Sequence, residues 1–336
     1  MLNSADVKKR ALELGADIVG IGSIDRFEGV PRENDPRYIF PDAKSIIGLG
    51  FRVLRGSLRG IEEGTQFYQF STMGVTHIDE IYAPTVLRRV ACFLEDNGYE
   101  GTVLRAMADR RSVSDKGTNP ELVPPIHKID FAEPVSDDKP APDVNPDFQL
   151  AAYVCGLGEI GLGGFFLTPE FGPLQRFAFI LTDAELEPDE ICTPYLCDKC
   201  GECINACPGN AILKDKIVEK EINGEVIKYA ELDEWQCTAH YMGINPSINP
   251  FMSPETAESI PDMEKIISGE KRLTENEVCL LKDKLINTYY DVGFGYNASI
   301  CGKACWRSCL AHLEIKGVLS RKFKENFRKK PVWKLK

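Results

Sequence analysis

Hydrophobic and polar residues alternate along the first third of the chain in blocks that predict helices and strands in turn. An apolar stripe at helical spacing follows the capping residue Ser4 and ends at Gly15. The apolar runs DIVGIG and KSIIGLGF predict two buried strands, and YEGTVLRA predicts a third. Helical spacing returns over residues 77–97, where Pro84 predicts a kink or a break. This alternation indicates an α/β fold.

The pattern stops between residues 110 and 147, where Pro, Asp and Ser are frequent and no period is visible. Loops of this length inside a compact domain are usually lids or binding loops, and a disordered surface insert is the alternative. Order returns with a glycine run and a predicted strand at residues 177–182. Further on, Asn-Gly at 223–224 predicts a hairpin turn, and Thr274 with Glu277 predicts a helix start.

The glycine run GLGEIGLGG contains G-x-G-x-x-G, the dinucleotide fingerprint. No clear strand–turn–helix unit surrounds it and no acidic residue ends a following strand, so nicotinamide binding is not favoured. A bare glycine backbone favours the close approach of a large flat or phosphate-bearing ligand instead. The glycines of this run are Gly156, Gly158, Gly161, Gly163 and Gly164.

The cysteines add a specific chemistry. Residues 197–207 read C-x2-C-x2-C-x3-C and are followed by Pro208, the run that holds cubic iron–sulfur clusters in bacterial ferredoxins. The fourth Cys of such a run ligates a second cluster, and the sequence offers partners for it in the triplet at 301–309 and in the isolated Cys237. Two clusters are predicted. A zinc site or buried unpaired cysteines are the alternatives, but zinc sites seldom use this rhythm.

Composition and charge narrow the function classes. The chain has 336 residues, enough for one large domain or two ordinary ones, and a net charge of −11. Residues 321–336 hold eight Lys and Arg against one Glu, so this tail is +7 and the rest is −18. An acidic body argues against a broad nucleic-acid surface. For the basic tail, packing through Phe323, Phe327 and Trp333 is favoured over contact with RNA or an acidic partner.

Neither a membrane span nor an export signal is expected. The longest apolar candidate, residues 151–167, is interrupted by Glu159 and five glycines. The first residues predict the start of an amphipathic helix rather than a signal sequence. We therefore expect a soluble protein of the reducing cytoplasm. The cysteines outside the cluster pattern are expected to be small buried residues, and they are Cys92, Cys155, Cys192 and Cys279.

From the glycine run to the second cysteine set, the chain resembles the corrinoid-dependent epoxyqueuosine reductases and reductive dehalogenases. The shared order is a glycine loop, a TPEFG turn, a TD strand end, the cysteine run, one isolated Cys and a Cys triplet. LGADIVGIG and FPDAKSIIGLG are similar as well, so the likeness covers most of residues 5–310. It implies a nitroreductase-like, cobalamin-binding α/β sandwich at residues 1–185, with 110–147 as a binding loop. This sandwich is followed by a two-cluster ferredoxin-like domain at residues 186–315 and by a basic tail at residues 316–336.

The resemblance also implies how the cofactors are held. Cobalamin is bound base-off in this superfamily, with no protein His on cobalt, and none of the four His of this chain lies in a D-x-H-x-x-G motif. Each cluster takes ligands from both cysteine sets. One cluster would be held by Cys197, Cys200, Cys203 and Cys309, and the other by Cys207, Cys237, Cys301 and Cys305.

Several departures keep the substrate open. The chain stops soon after the second cysteine set, without the helical-repeat tail of epoxyqueuosine reductases, and Leu162 stands where those enzymes have Lys. No export signal of the membrane-associated dehalogenases is present, and residues 110–147 contain no Tyr to match their acid. The Cys triplet is spaced three and three instead of two and three. Substrate identity therefore does not carry over from either branch.

A corrinoid reductase needs a proton donor and an apolar wall over cobalt. Asp143 is the first candidate donor, from its position upstream of the glycine loop, and a solvated loop aspartate is the alternative. His127 and Tyr153 follow, with structural roles as alternatives. Arg176 is a candidate anion binder or a partnered surface arginine. The wall is expected from the glycine run together with Leu167, Thr168 and Phe171.

These observations predict a cytoplasmic, cobalamin-dependent iron–sulfur reductase that cleaves a small organic substrate reductively. Its electrons would come from a low-potential donor such as ferredoxin or flavodoxin. Two alternatives stay open. One is a two-cluster electron-transfer protein whose α/β domain binds flavin or nothing, and the other is an epoxyqueuosine-type tRNA reductase.

Overall fold

The computed structural model describes residues 2–105, 132–286 and 299–335, without the side chains of residues 279, 282, 283 and 286. In chain order its elements are α1 (Ser4–Leu14), β1 (Ile18–Ser23), β2 (Ser45–Arg52), α2 (Arg59–Glu62), α3 (Tyr68–Ser71), α4 (Ala83–Asp96), β3 (Gly101–Leu104), α5 (Phe148–Val154), β4 (Glu159–Ile160), β5 (Phe166–Leu167), β6 (Gln175–Thr182), α6 (Glu202–Asn205), β7 (Ile212–Ile222), β8 (Glu225–Leu232), α7 (Glu234–Met242), α8 (Pro254–Glu258), α9 (Met263–Ser268), α10 (Glu275–Ile286) and α11 (Ala304–Lys316). The mixed α/β character predicted from the sequence is confirmed.

A four-stranded antiparallel sheet in the order β1-β2-β6-β3 forms the centre of the fold. Its two inner strands are apolar on both faces, and every residue of β2 up to Phe51 is buried. Helices α1 and α4 cover one face through Val7, Val86 and Val90, and α5 covers the other. Burial on both faces explains why these strands appear in the sequence as continuous apolar runs instead of alternating ones.

The ends of several elements follow the sequence closely. Asn223 and Gly224 have φ values of 52° and 74°, as the predicted hairpin turn requires. The backbone N–H of Thr274 donates to Glu277 at 2.9 Å, which completes the predicted capping box. At α1 the expected cap was wrong. Asn3 accepts from the N–H of Asp6, and the Ser4 hydroxyl donates to a distant carbonyl instead.

The helix that contains Pro84 is neither broken nor regular. Two π-helical turns, Thr72–Thr76 and Ile78–Tyr82, precede α4, in which Pro84 occupies the first turn. Wider turns accommodate the missing N–H of proline without ending the helix. They also place Asp79, which is 3% exposed, toward the sheet. The predicted kink therefore takes the form of a π-helical segment that positions a buried carboxylate.

The basic C-terminal segment packs onto the body, as the favoured interpretation predicted. Phe327 is fully buried, and the Trp333 indole N–H donates to the carbonyl of Ile61 at 2.8 Å. Phe323 differs, since it is 56% exposed and lies under the guanidinium of Arg55. Arg328 of the segment pairs with Glu62, so part of its charge is neutralised within the chain.

The predicted domain boundary at residue 185 stays a prediction. All four strands of the large sheet precede it, and the cysteine-rich segments follow it. The main apolar core continues across it and includes Leu310 and Leu313 of α11. Among the described helices, none is long and apolar enough to cross a membrane.

Candidate iron–sulfur centres and an adjoining groove

The first group of cysteines surrounds one cavity. Cys197 and Cys200 lie on the loop before α6, Cys203 lies on α6, and Cys309 comes from α11. All four side chains line the same cavity, together with residues 161–163 of the glycine run. The thiols of Cys203, Cys197 and Cys200 all act electrostatically on that of Cys309. The geometry therefore brings together the first predicted ligand set.

The second group forms around the start of α11. Cys207 follows α6, Cys237 lies on α7, Cys301 lies in a turn, and Cys305 is in the first turn of α11. The thiol of Cys305 interacts electrostatically with those of Cys301, Cys237 and Cys207. The second predicted ligand set is also brought together, and Cys305 and Cys309 place the two groups side by side on one helix.

Burial determines the protonation of these thiols in the metal-free chain. It raises the pKa of Cys203 and Cys237 to about 11 and that of Cys305 to about 12. Thiolates are the form that binds iron. Bound metal ions supply the positive charge that displaces these protons. Two groups of four cysteines, buried or half-buried except for the exposed Cys200, are a donor set that fits cubic clusters.

Backbone donors and one carboxylate shape the loop of the first group. The N–H of Leu162 points at the sulfur of Cys197 at 3.3 Å, and that of Ala211 points at Cys207 at 3.3 Å. Such N–H···S contacts favour thiolate charge and influence cluster potentials. Glu159 is 2% exposed, and its carboxylate accepts from three successive backbone N–H groups, those of residues 195–197. This buried acid, missed as a functional residue from the sequence, fixes the loop that carries Cys197.

The glycine run packs against the protein itself. A Cβ at Gly158 would lie 2.0 Å from the carbonyl oxygen of Leu167, and one at Gly163 would lie 2.9 Å from the sulfur of Cys203. Gly156 and Gly164 are likewise in close contact with neighbouring chain segments. The corrinoid contact predicted for these glycines has no support in this geometry. Their bare backbone lets the loop close tightly over the first cysteine group.

Leu167, Thr168 and Phe171 do not form a shared wall over a cofactor. Leu167 and Thr168 are fully buried inside the fold. Thr168 accepts from the backbone N–H of Phe171 and stabilises the turn between β5 and β6. Phe171 lies under the guanidinium of Arg321, 4.7 Å from its ring centre, in a separate apolar cavity. These three residues are structural in the described fold.

The two candidate proton donors that the structure describes, Asp143 and Tyr153, differ in their exposure to solvent. Asp143 is exposed on the segment before α5, which matches the alternative of a solvated loop aspartate. Tyr153 is 7% exposed and lines a cavity with Cys192 and Cys197; burial, with Glu225 and Cys192 nearby, raises its pKa. His127 lies outside the described residues. The two described candidates thus lie in different surroundings, and the role of His127 stays a prediction.

Arg176 is partnered within the chain. Its Nε lies 2.9 Å and 3.0 Å from the two carboxylate oxygens of Asp79. Because Asp79 is almost fully buried, this ion pair takes up the guanidinium that was expected to hold an anion. The alternative of a partnered arginine is the one the geometry supports, and Arg176 also lines a groove.

That groove consists of two neighbouring cavities that share Phe148 and Gln149, with volumes of about 220 and 660 Å³. The smaller one runs past Arg176 and Phe177 to Trp306. Together their volumes fall in the range of about 300–1,000 Å³ that is usual for ligand pockets. Trp306 follows Cys305 in the chain, so the groove ends beside the second cysteine group.

Gln149 offers an unmatched acceptor in this groove. Its side-chain N–H donates to the carbonyl of Gly164 at 3.1 Å. Its other amide atom, Oε1, is buried and has no hydrogen-bond partner among the residues that the structure describes. Buried polar atoms are normally satisfied, so this oxygen calls for a donor from a ligand or water. Neither Gln149 nor Trp306 was predicted, although an aromatic residue directly after a cluster Cys was a usable signal.

Comparisons with known proteins agree with this chemistry. Residues 193–213 match the family model described as a 4Fe-4S binding domain. The resemblance to corrinoid reductases has support in sequence: the chain is 35% identical over 97 residues to the tetrachloroethene reductive dehalogenase of Dehalobacter restrictus. The chain carries a 4Fe-4S binding segment. The dehalogenase match covers 27% of this chain and only 18% of the relative's length.

Two solved structures are also similar. A catabolic reductive dehalogenase matches 89% of this chain and 37% of its own, with 17% identity and a TM-score of 0.47. An epoxyqueuosine reductase from Bacillus subtilis matches 94% of this chain and 82% of its own, with 14% identity and a TM-score of 0.42. Both scores are below 0.5, so the functional argument rests on the sequence match and on the geometry of the cysteines and the groove.

Proposed function

We propose that the chain is an oxidoreductase, an iron–sulfur reductase with one 4Fe-4S cluster in each cysteine group. Its electrons would serve the reductive cleavage of a small organic substrate at a corrinoid bound in the groove. The observation that carries the proposal is the placement of Trp306, which directly follows a ligand of the second group and lines the groove. A cluster in the second group would thus be separated from the ligand space by little more than this side chain.

The described residues support a direction for the electrons. Cys200 of the first group is exposed, which suits electron entry from a donor such as ferredoxin or flavodoxin. Cys305 and Cys309 are one helical turn apart on α11, so the two clusters would be close neighbours. The indole of Trp306 lies 6.2 Å from Phe165, ring centre to ring centre, and these rings separate the second group from the groove. Single electrons would pass from the surface to the groove by this route.

The residues that line the groove suit the edge of a corrin ring better than the wall first predicted for it, which consisted of the glycine run, Leu167, Thr168 and Phe171. Phe148, Phe177 and Trp306 offer apolar contact that excludes water. The unmatched Oε1 of Gln149 would accept from one of the carboxamide N–H groups that surround a corrin ring. A bound corrinoid supplies a cobalt centre that takes up electrons and reacts with carbon–halogen or epoxide carbon–oxygen bonds. The protein would contribute binding, orientation and a dry surface.

The test is anaerobic reconstitution followed by titration with cobalamin. We expect about eight irons per chain and a saturable change in the visible spectrum of cobalamin. Gln149→Ala and Trp306→Ala should weaken cobalamin binding while the iron content stays the same. Tyr153→Phe, in the separate cavity beside the first group, is the matched control and should bind as the parent does.

Two outcomes would contradict the proposal at different points. A protein with eight irons that does not bind cobalamin would be a two-cluster electron-transfer protein. A protein that binds about four irons or fewer would contradict the assignment of two clusters. We also propose the reducing cytoplasm as its location. The support is that all eleven cysteines whose side chains are described are unpaired, and cell fractionation tests it.

A further inference from the structure

We infer that Lys303 raises the reduction potential of the second cluster and so makes it the electron-accepting member of the pair. The inference rests on the proposed function, because it requires both clusters. It concerns a residue that no part of the ligand set explains, a lysine placed between two cluster cysteines in the sequence Cys301-Gly302-Lys303-Ala304-Cys305.

The backbone turn directs this lysine inward. Gly302 and Lys303 both have positive φ, 55° and 47°, which is uncommon for a residue with a side chain. The ammonium of Lys303 lies 5.5 Å from the ring centre of Tyr241 and 5.4 Å from that of Trp306. Two aromatic faces therefore cover the cation on one side.

The second cysteine group covers it on another side. The charge of Lys303 interacts with the sulfurs of Cys237, Cys305 and Cys301. Within the described parts of the chain, no carboxylate forms an ion pair with it. Among the described residues, the negative charge that balances the Lys303 ammonium would therefore come from the thiolates of the second group and the cluster they would bind.

A fixed positive charge beside a cluster favours its reduced form. Reduction adds one negative charge to the cluster, and a nearby cation in a low-dielectric site stabilises the added charge. Lys303 is half-buried, and its aromatic neighbours together with the cluster would reduce the screening of this interaction by solvent. The second cluster should therefore accept electrons more readily than it would without Lys303.

The first group provides a contrast within the same chain. Lys199 likewise stands two residues after a cluster cysteine, Cys197, and has a positive φ of 60°. Unlike Lys303, it is exposed. Next to it lies the carboxylate of Asp198, which pairs with His312 and Lys316. Water therefore screens the lysine at the first cluster. The difference between the two lysines would drive electrons from the first cluster to the second, which lies beside the groove.

The experiment is a redox titration of the reconstituted protein, followed by electron paramagnetic resonance. In Lys303→Gln, we expect the ratio of reduced to oxidised second cluster at a fixed potential to fall about tenfold, which equals about 59 mV for one electron. Lys303→Arg keeps the charge and should stay near the parent value. The matched control Lys199→Gln should change neither midpoint by more than about a fifth of that shift.

A second measurement leaves Lys303 unchanged. Cys203→Ser retains only the second cluster, whose midpoint should match the higher of the two in the parent. If it matches the lower one, the inference is overturned. Unchanged midpoints in Lys303→Gln at full iron content would overturn it as well. Low iron content in the parent would instead contradict the proposed function, so the two failures are distinguishable.

Discussion

Removing the carboxylate of Glu159 should loosen the loop of the first cluster and destabilise the fold. The side chain accepts from the backbone N–H groups of Tyr195, Leu196 and Cys197 at 2.6, 3.0 and 2.7 Å. Leu196 is fully buried between these donors. In Glu159→Ala, the three backbone N–H groups lose their charged acceptor at a position that water reaches poorly. The loop then no longer fixes the position of the Cys197 sulfur.

The magnitude follows from these contacts. A hydrogen bond to a charged group contributes about 1.5–3 kcal/mol, and a buried donor left without a partner costs about 1–3 kcal/mol. The three contacts share one carboxylate and are not additive. We expect Glu159→Ala to lower the free energy of unfolding by about 3–5 kcal/mol, less than the full sum for three buried donors left without a partner. Glu159→Gln keeps one acceptor oxygen and should cost about half as much.

The assay is guanidinium-induced unfolding followed by far-UV circular dichroism, with iron content measured in parallel under anaerobic conditions. Glu185→Ala, an exposed acid in the same region, is the control and should change the free energy of unfolding by less than about 0.5 kcal/mol. Glu159→Ala should also lose iron from the first cluster. The reasoning is refuted if this variant unfolds like the control and retains full iron content.

Other variants test the ligand sets, the tail and a predicted donor. Cys203→Ser and Cys305→Ser should each retain about four irons per chain. Cys237→Ser should lose the same cluster as Cys305→Ser. If Cys237→Ser retains both clusters, Cys237 does not belong to the second group. Burial raises the pKa of Glu62, but its two arginine partners outweigh this and hold it below the usual value. Its stabilisation is therefore present above about pH 4 and lost as pH falls through the lowered pKa, so the stability difference between parent and Glu62→Gln should shrink in acid unfolding. Asp143→Asn should keep parental cobalamin binding and turnover, since the side chain is exposed.

Much of the fold was predictable because its signals are local. The continuous apolar runs gave β1 and β2, and the Asn-Gly pair gave the hairpin turn of β7 and β8. The order of strands in the sheet was not predictable in this way. Strand β6 lies between β2 and β3, more than 70 residues after β3 in the chain, and no local pattern encodes such a pairing. Likewise, periodicity alone could not distinguish a π-helical segment before Pro84 from a break.

The candidate site was predictable in its cysteines and not in its other residues. Spacing determines which thiols can reach one cluster, so both groups could be derived from the sequence and the resemblance. Glycine permits both ligand contact and close packing, and only the coordinates show that Gly158 and Gly163 serve packing. Glu159 entered the sequence argument only as an interruption of an apolar run. An isolated acid in such a run costs too much to bury without partners, and that cost was the available signal for its role.

The unusual spacing of the cysteine triplet has a structural reason. Cys301, Cys305 and Cys309 are each four residues apart, close to one turn of an α-helix. Cys305 and Cys309 lie on α11 and point to the same side, yet they belong to different groups. The three residues between Cys301 and Cys305 include the left-handed turn at Gly302 and Lys303, which places a lysine beside the second group. The wider spacing thus joins the two centres through one helix and places a cation at the second, which links the departure from the ferredoxin rhythm to the direction of electron flow.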